Sequence, residues 1–415
     1  MSLTHPAMSA ASIRLNPDEV WWPFVTTIVV TFLTSFVVLP GPPIIRIVPT
    51  AFFLLLGVLR TPHTRVGKVR LDPMLVVLIV WSIASIAWTV DRGQTIQQIF
   101  REYSRVLAVT IAVGILGKER TLRTLRGLFK VAIVAVFLYW AWKPAASTLP
   151  IDGDSEMGLR TFFGHKNTLA KVSLLAILFF MADVKLGKRR FLWVGAAFVL
   201  LRFTTATTAL LGALAGIGVY WVIITSERLD RRGRTSMRAL TLLAGALIVL
   251  ASLGTSFSTL VGVTGKDTTL TGRTEIWEVT LPFVRAELAK GYGFGAVWES
   301  KTGPGPEINR QVGDFPVVDA HNTYLEQLLQ VGAVGSLMVM AWAIATARRA
   351  FLALSSSPHQ SGWVLGSTTA LTVLGVSDAV FIGWLSWFAL LSATSYLLKE
   401  TVPNRLEIRK ASARR

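Results

Sequence analysis

Long apolar runs separated by short basic loops are the dominant pattern of this 415-residue chain. Runs of roughly 20 residues recur from end to end, the length that carries a helix across about 30 Å of hydrocarbon. Spans are predicted at 20–39, 44–59, 73–90, 104–117, 126–142, 167–183, 191–206, 208–225, 239–257, 323–347, 361–377 and 379–397. The fourth is short, with Arg105 near its start. From Phe191 to Thr225 the chain holds a single charge, Arg202. As one helix that stretch would measure about 52 Å, too long for one crossing. It must cross twice, with the break at Thr204-Thr205-Ala206-Thr207-Thr208, where hydroxyls can satisfy freed backbone groups.

One long polar interval, Gly262 to Gly335, interrupts the pattern. It opens on Thr271-Gly272-Arg273-Thr274-Glu275-Ile276-Trp277 and runs through Gly291-Tyr292-Gly293-Phe294-Gly295 and a loop with Pro304 and Pro306. It closes on His321-Asn322-Thr323-Tyr324-Leu325-Glu326. In a membrane protein such an ordered loop is the natural place for aqueous chemistry. The glycine run follows no strand, so it reads as a helix stop and turn and not as a dinucleotide fingerprint.

Composition agrees with the bilayer reading. The chain is 52% hydrophobic and 16% charged, with a mean hydropathy of +0.54, against roughly 25% charged in soluble domains. Runs this long exclude barrel strands, leaving an all-α polytopic membrane protein of about twelve transmembrane helices. The net charge of +18 would suggest nucleic acid in a soluble protein. Here the basic residues gather between spans, so the charge is topological and no nucleic-acid partner is expected. Twelve spans put every dense cluster on one side: Arg60 to Arg70, Lys118 to Lys130, Lys185 to Arg190, Arg228 to Arg238, Arg348 with Arg349, and the tail from Lys399. Both termini are then cytoplasmic and the large loop faces outward. The expected layout is a cytoplasmic tail at 1–19, helices one to nine over 20–257, an outward catalytic loop at 258–322, helices ten to twelve over 323–397 and a basic tail at 398–415. Residues 1–19 lack a signal-peptide core, so the first span is expected to remain. The chain has no cysteine, which removes disulfide and thiolate-metal sites.

Several residues stand out chemically. Arg202 is ionised within a span, a position costing about 2.5–3.5 kcal/mol unless it faces a polar cavity or snorkels to the surface. Arg273 stands at the head of a predicted surface helix from Thr274 to Lys290, capped by Thr274. A guanidinium there can hold phosphate oxygens, or be an ordinary solvated loop residue. His321, with Asn322 and Tyr324 after it, lies at the outer end of a span, where an imidazole can serve as general base. No second histidine accompanies it at ligand spacing, so no metal site is expected. Gly164-His165-Lys166-Asn167, with Arg160 just before, can offer positive charge and donors to a lipid-linked phosphate or act as an interfacial anchor. Asp378, in the hairpin of the last two spans, could orient a histidine or pair with an arginine.

The Thr271–Trp277 and His321–Glu326 motifs, followed by Gly332 and Gly335, resemble the O-antigen ligase and O-antigen polymerase superfamily of bacterial membrane glycosyltransferases. Gly164-His165-Lys166-Asn167-Thr168-Leu169-Ala170 is similar to the exopolysaccharide-polymerase branch. The resemblance covers roughly residues 160–395. It implies a GT-C-like, inverting, metal-independent enzyme of the bacterial inner membrane, without cofactor. Its donor would be an undecaprenyl-diphosphate-linked glycan. Its acceptor would be a glycan or lipid, with membrane lipids and a chain-length regulator as further partners. The family's two phosphate-binding arginines would fall on Arg202 and Arg273, its loop histidine on His321, and its acidic residue near the last spans on Asp378. Arg160, His165, Lys166, Asn322 and Tyr324 would line the substrate. Polymerisation of repeat units and ligation to lipid A–core both remain open. A transporter is the reading from another class, but the unusual residues gather at the outer boundary and not at the midplane where transport sites lie.

Overall fold

The computed structural model describes residues 21–36, 44–61, 69–148, 158–230, 233, 236, 273–313, 317–380 and 383–400. The ninth expected span, both tails up to residue 19 and from 401, and residues 258–272 of the polar interval lie outside these. All regular structure among the described residues is helical. In order come α1 (Trp22–Phe36), α2 (Ile44–Arg60), α3 (Pro73–Ala84), α4 (Arg92–Trp142), α5 (Pro144–Thr148), α6 (Lys166–Ala182), α7 (Arg190–Phe203) and α8 (Thr207–Ser226). Then follow α9 (Arg273–Ala286), α10 (Pro304–Val312), α11 (Thr323–Leu352), α12 (Pro358–Leu374) and α13 (Leu385–Glu400). α4, α8 and α11 are long and apolar enough to cross a membrane, and shorter apolar stretches lie at 22–35, 48–60, 73–87 and 385–398.

Two turns match the sequence reading. At Gly117 φ is 71° and ψ 174°, so α4 consists of two limbs. Gln98, on the first limb, donates to Glu299 Oε1 at 3.1 Å. Lys118, at the turn, reaches Ser357 Oγ at 3.5 Å. Trp140, near the end of the second limb, packs against Phe203 with ring centroids 4.8 Å apart. The chain therefore doubles back at Gly117. The long run from Phe191 likewise breaks after Phe203. Thr204 Oγ1 donates to Leu201 O at 2.6 Å and accepts from Ala206 N at 3.4 Å, satisfying groups the ladder has released.

Contacts sort the helix ends into two sets. One end joins Arg126 to Asp183, Lys185 to Glu119, Asp72 to Arg349 and Tyr220 to His359. The other joins Gln98 to Glu299, Thr208 to Ser377 and Lys171 to Asp378. The described basic clusters sit at the first end, and the polar interval sits at the second. Not all basic residues there are plain topological charges. Arg349 is buried, with Nη2 2.5 Å from Asp72 Oδ2 and Nε donating to Ser395 Oγ at 2.9 Å, which locks α3, α11 and α13 together. His359, which has no informative sequence neighbour, meets the Tyr220 hydroxyl at 2.8 Å through Nδ1.

Small residues set the closest packing. Gly216 of α8 and Gly366 of α12 face each other, and a Cβ on either would stand 2.7 Å from the other's carbonyl oxygen. Such approach lets helices gain van der Waals contact where apolar burial alone drives little association. Gly366→Val is expected to push the two helices apart and remove the monodisperse peak in detergent gel filtration; a wild-type profile would show that this contact is dispensable. On the outside, Leu59, Val131, Leu138 and Leu192 are 66–75% exposed, a surface that acyl chains and not water would cover.

The polar interval folds onto the second end as a small helical cap. Val284 of α9, Val297, Ile308 of α10 and Leu329 of α11 form its core. It is stitched to a break in α11 at Gly332, where φ is 66° and ψ −175°. There the Leu329 and Gln330 carbonyls accept from Tyr292 N and Gly293 N at 2.9 and 3.0 Å, while Trp81 Nε1 donates to Val331 O at 2.9 Å. α11 thus differs from the single expected span: its first limb belongs to the cap, because the glycine turn replaces lost helix partners. Gly293 has φ 108°, and a Cβ there would fall 2.1 Å from Thr89 Oγ1, so both conformation and space require glycine.

Candidate active site

The segment Gly375–Val380, between α12 and α13, gathers groups from four other helices. Thr323 N, at the head of α11, donates to Gly375 O at 2.7 Å. Asn322 Nδ2 donates to Val376 O at 3.0 Å. Arg273, the first residue of α9, donates from Nη1 to Ser377 O. Ser377 Oγ meets Thr208 Oγ1 of α8 at 2.5 Å. Asp378 Oδ1 accepts from Lys171 Nζ of α6 at 2.9 Å, and its carbonyl accepts from Thr323 Oγ1 at 2.8 Å. Consecutive Cα atoms lie about 3.8 Å apart, so Arg273, Asn322 and Asp378 are anchored within three successive peptide units.

His321 is held beside this segment by its neighbours. Asn322 caps α11, accepting from Tyr324 N at 2.9 Å and Leu325 N at 3.1 Å. Trp277, one turn along α9 from Arg273, donates to Ala320 O at 2.9 Å. Glu326 is buried and accepts from Ala320 N at 2.8 Å, from Trp298 Nε1 at 2.8 Å and from Gln330. These bonds hold His321 at φ 46°, a left-handed conformation costly for a residue with a Cβ. Asp319 Oδ1 accepts from His321 N at 2.7 Å and lies 3.2 Å from Nδ1, though not aligned for a hydrogen bond to the ring. The imidazole is 28% exposed, so part of it is open to a reactant.

The other expected site residues divide into two groups. Asn322 and Tyr324 are committed internally, the latter donating to Thr372 O at 2.9 Å. They position the loop and offer little to a ligand. Asp378 pairs with neither an arginine nor His321; its partner is Lys171. Leu159 N donates to Phe203 O at 2.8 Å, which sets Arg160 and Arg202 on adjoining strands of backbone. Arg202 is exposed in the last turn of α7, at the helix end. Neither its side chain nor that of Arg160 makes a hydrogen bond or ion pair among the described residues, although the Arg160 backbone N–H donates to Ser147 O at 3.0 Å. His165 is exposed and caps α6, Nδ1 accepting from Asn167 N at 3.1 Å, while Lys166 is buried. Among the described residues, the Thr208–Ser377 bond ties the start of α8, just past the turn that follows Arg202, to the Gly375–Val380 segment.

Lys171, Glu326 and Asp319 are the functional neighbours that sequence reasoning passed over. Lys171 is a cation inside an apolar span, the same signal that singled out Arg202, and its side chain is 6% exposed. It also stands 5.1 Å from the Trp384 ring centroid. Among the described residues no three His, Asp or Glu side chains stand together as metal ligands. Guanidinium, ammonium and imidazole predominate here, a set suited to an anion.

Comparison with known proteins finds two similarities. Residues 191–340 match the family model described as O-antigen ligase. Over 273 residues the chain is 26% identical to the exopolysaccharide production protein ExoQ of Rhizobium meliloti (strain 1021), a match covering 63% of this chain and 61% of that protein. The matched region contains α7, α8, α9, α10 and the first limb of α11, hence Arg202, Arg273 and His321. These matches support the likeness to the O-antigen ligase and polymerase family read from the motifs, and the match spans less than two thirds of the length of that relative.

Proposed function

We propose that the outer end of this helical bundle transfers a glycan from a lipid diphosphate, undecaprenyl diphosphate being the expected carrier, to an acceptor sugar hydroxyl. The observation carrying this reading is the anchoring of Arg273 and the His321 loop to neighbouring peptide units of Gly375–Val380. Arg273 spends one N–H on Ser377 O and keeps further donors for phosphate oxygens. Arg160 and Arg202, brought near one another by the Leu159–Phe203 hydrogen bond, are the further cations this reading assigns to the diphosphate. His321, with Nδ1 turned to Asp319, takes the acceptor hydroxyl proton on Nε2. The acceptor oxygen then bonds the anomeric carbon as the bond to the diphosphate breaks. The departing oxygen keeps the electron pair, and the guanidiniums neutralise the charge it gains. Attack opposite the leaving group inverts the anomeric carbon, and the cations take the part a metal would otherwise play. Lys171 and Asp378 act as positioning residues.

Polymerisation of exopolysaccharide or O-antigen repeats is favoured by the relative's name and by the Gly164–Ala170 motif. Ligation to lipid A–core is favoured by the family description. In this reading the protein has about twelve spans in a GT-C-like arrangement, lies in the bacterial inner membrane with both termini cytoplasmic, and works with a chain-length regulator. Purified protein incubated with a lipid-linked repeat unit should build a ladder of longer lipid-linked glycans. Product appearing only when lipid A–core is added would favour ligation, and no transfer to either acceptor would end the proposal.

A further inference from the structure

A cavity of about 80 Å³ opens at the opposite end of the bundle from His321, between the second limb of α4, the C-terminal end of α6 and the start of α12. Its polar lining comprises Glu119, Arg123, Arg126, Asp183, Lys185 and Gln360, with Trp363 among the apolar walls. Both carboxylates are already taken. Asp183 receives Arg126 Nε and Nη2 at 2.5 and 2.7 Å, and Glu119 receives Lys185. Donors remain in surplus. Arg123 is exposed; its charge acts on Glu119, but it makes no hydrogen bond or ion pair among the described residues, so its donors remain open. Trp363 is 1% exposed and serves as an apolar wall, its Nε1 closed off from the cavity.

The shape of the requirement points to one ligand chemistry. A cation finds no free carboxylate here. A single water needs only about 10–15 Å³ and meets few donors at once. A phosphate group presents several acceptor oxygens to an arginine and a lysine together, and arginine matches it in two parallel bonds. The cavity also lies at the end where the basic clusters gather, the level at which anionic headgroups meet cationic pockets between helices. We infer that this cavity binds the phosphate of a phosphate ester, carried to it by an anionic phospholipid. The site is separate from the glycan-transfer centre and does not rest on that reading.

The test uses the whole protein in lipid nanodiscs, with bound lipid counted by native mass spectrometry. Phosphatidylglycerol should be retained over phosphatidylcholine. Arg123→Gln and Lys185→Gln should each lower that retention roughly tenfold, the worth of one charge-assisted hydrogen bond. Both changes spare the Arg126–Asp183 pair, and unchanged thermal unfolding would show that the fold survives. Inorganic phosphate added to phosphatidylcholine discs separates the sources: Arg123-dependent binding of phosphate without retained phosphatidylglycerol would uphold the site and assign it a soluble ester. Equal retention of both lipids with no phosphate binding, or retention untouched by both substitutions, would overturn the inference.

Discussion

Replacing His321 by asparagine is expected to slow glycan transfer by roughly 10²–10⁴-fold, the range a positioned general base supplies. Asparagine suits this test better than alanine, because it accepts the left-handed backbone found at φ 46°. The ring is 28% exposed, and the surrounding loop is held through Ala320 and Asn322, so the fold should stay intact. The diagnostic product is accumulated single lipid-linked repeats beside normally inserted protein. His321→Ala should behave alike, at an added backbone cost. Transfer at the native rate in His321→Asn would remove the imidazole from the chemistry and leave only the arginines in the proposed centre.

The second large effect concerns the ion pair beneath that centre. Lys171→Met should strand the Asp378 carboxylate, whose side chain is 10% exposed, with no cation to face. Breaking a buried pair from one side costs about 3–5 kcal/mol, enough to collapse a marginally stable bundle. Asp378→Leu should be costly for the mirror reason, leaving the Lys171 ammonium buried. Removing both charges, as Lys171→Met with Asp378→Leu, should recover much of the stability, since neither buried charge then lacks a partner. Thermal unfolding in detergent across the four proteins measures this coupling. A Lys171→Met protein as stable as the wild type would show that the pair does not hold α6 to the Gly375–Val380 segment.

What the chain determined alone was whatever depends on local pattern. Apolar runs of span length produced helices, Gly117 and the threonines after Phe203 produced the turns between them, and the basic loops sorted to one end. The Arg273 and His321 motifs were legible because polar residues concentrated in a membrane chain are conspicuous. Partnership was not legible. Asp378 invited an arginine or histidine and found Lys171, which is 207 positions away. Arg349 reads as a loop charge and is buried against Asp72. Arg202 reads as an interior charge and reaches the surface. Nor does the sequence show that α11 breaks at Gly332, since the carbonyls freed there are satisfied by Tyr292, Gly293 and Trp81 from elsewhere in the chain. Hydropathy is carried by neighbouring residues and survives in one dimension. Charge pairing and backbone satisfaction depend on distances of about 3 Å between remote segments, and only the packed helices set those distances.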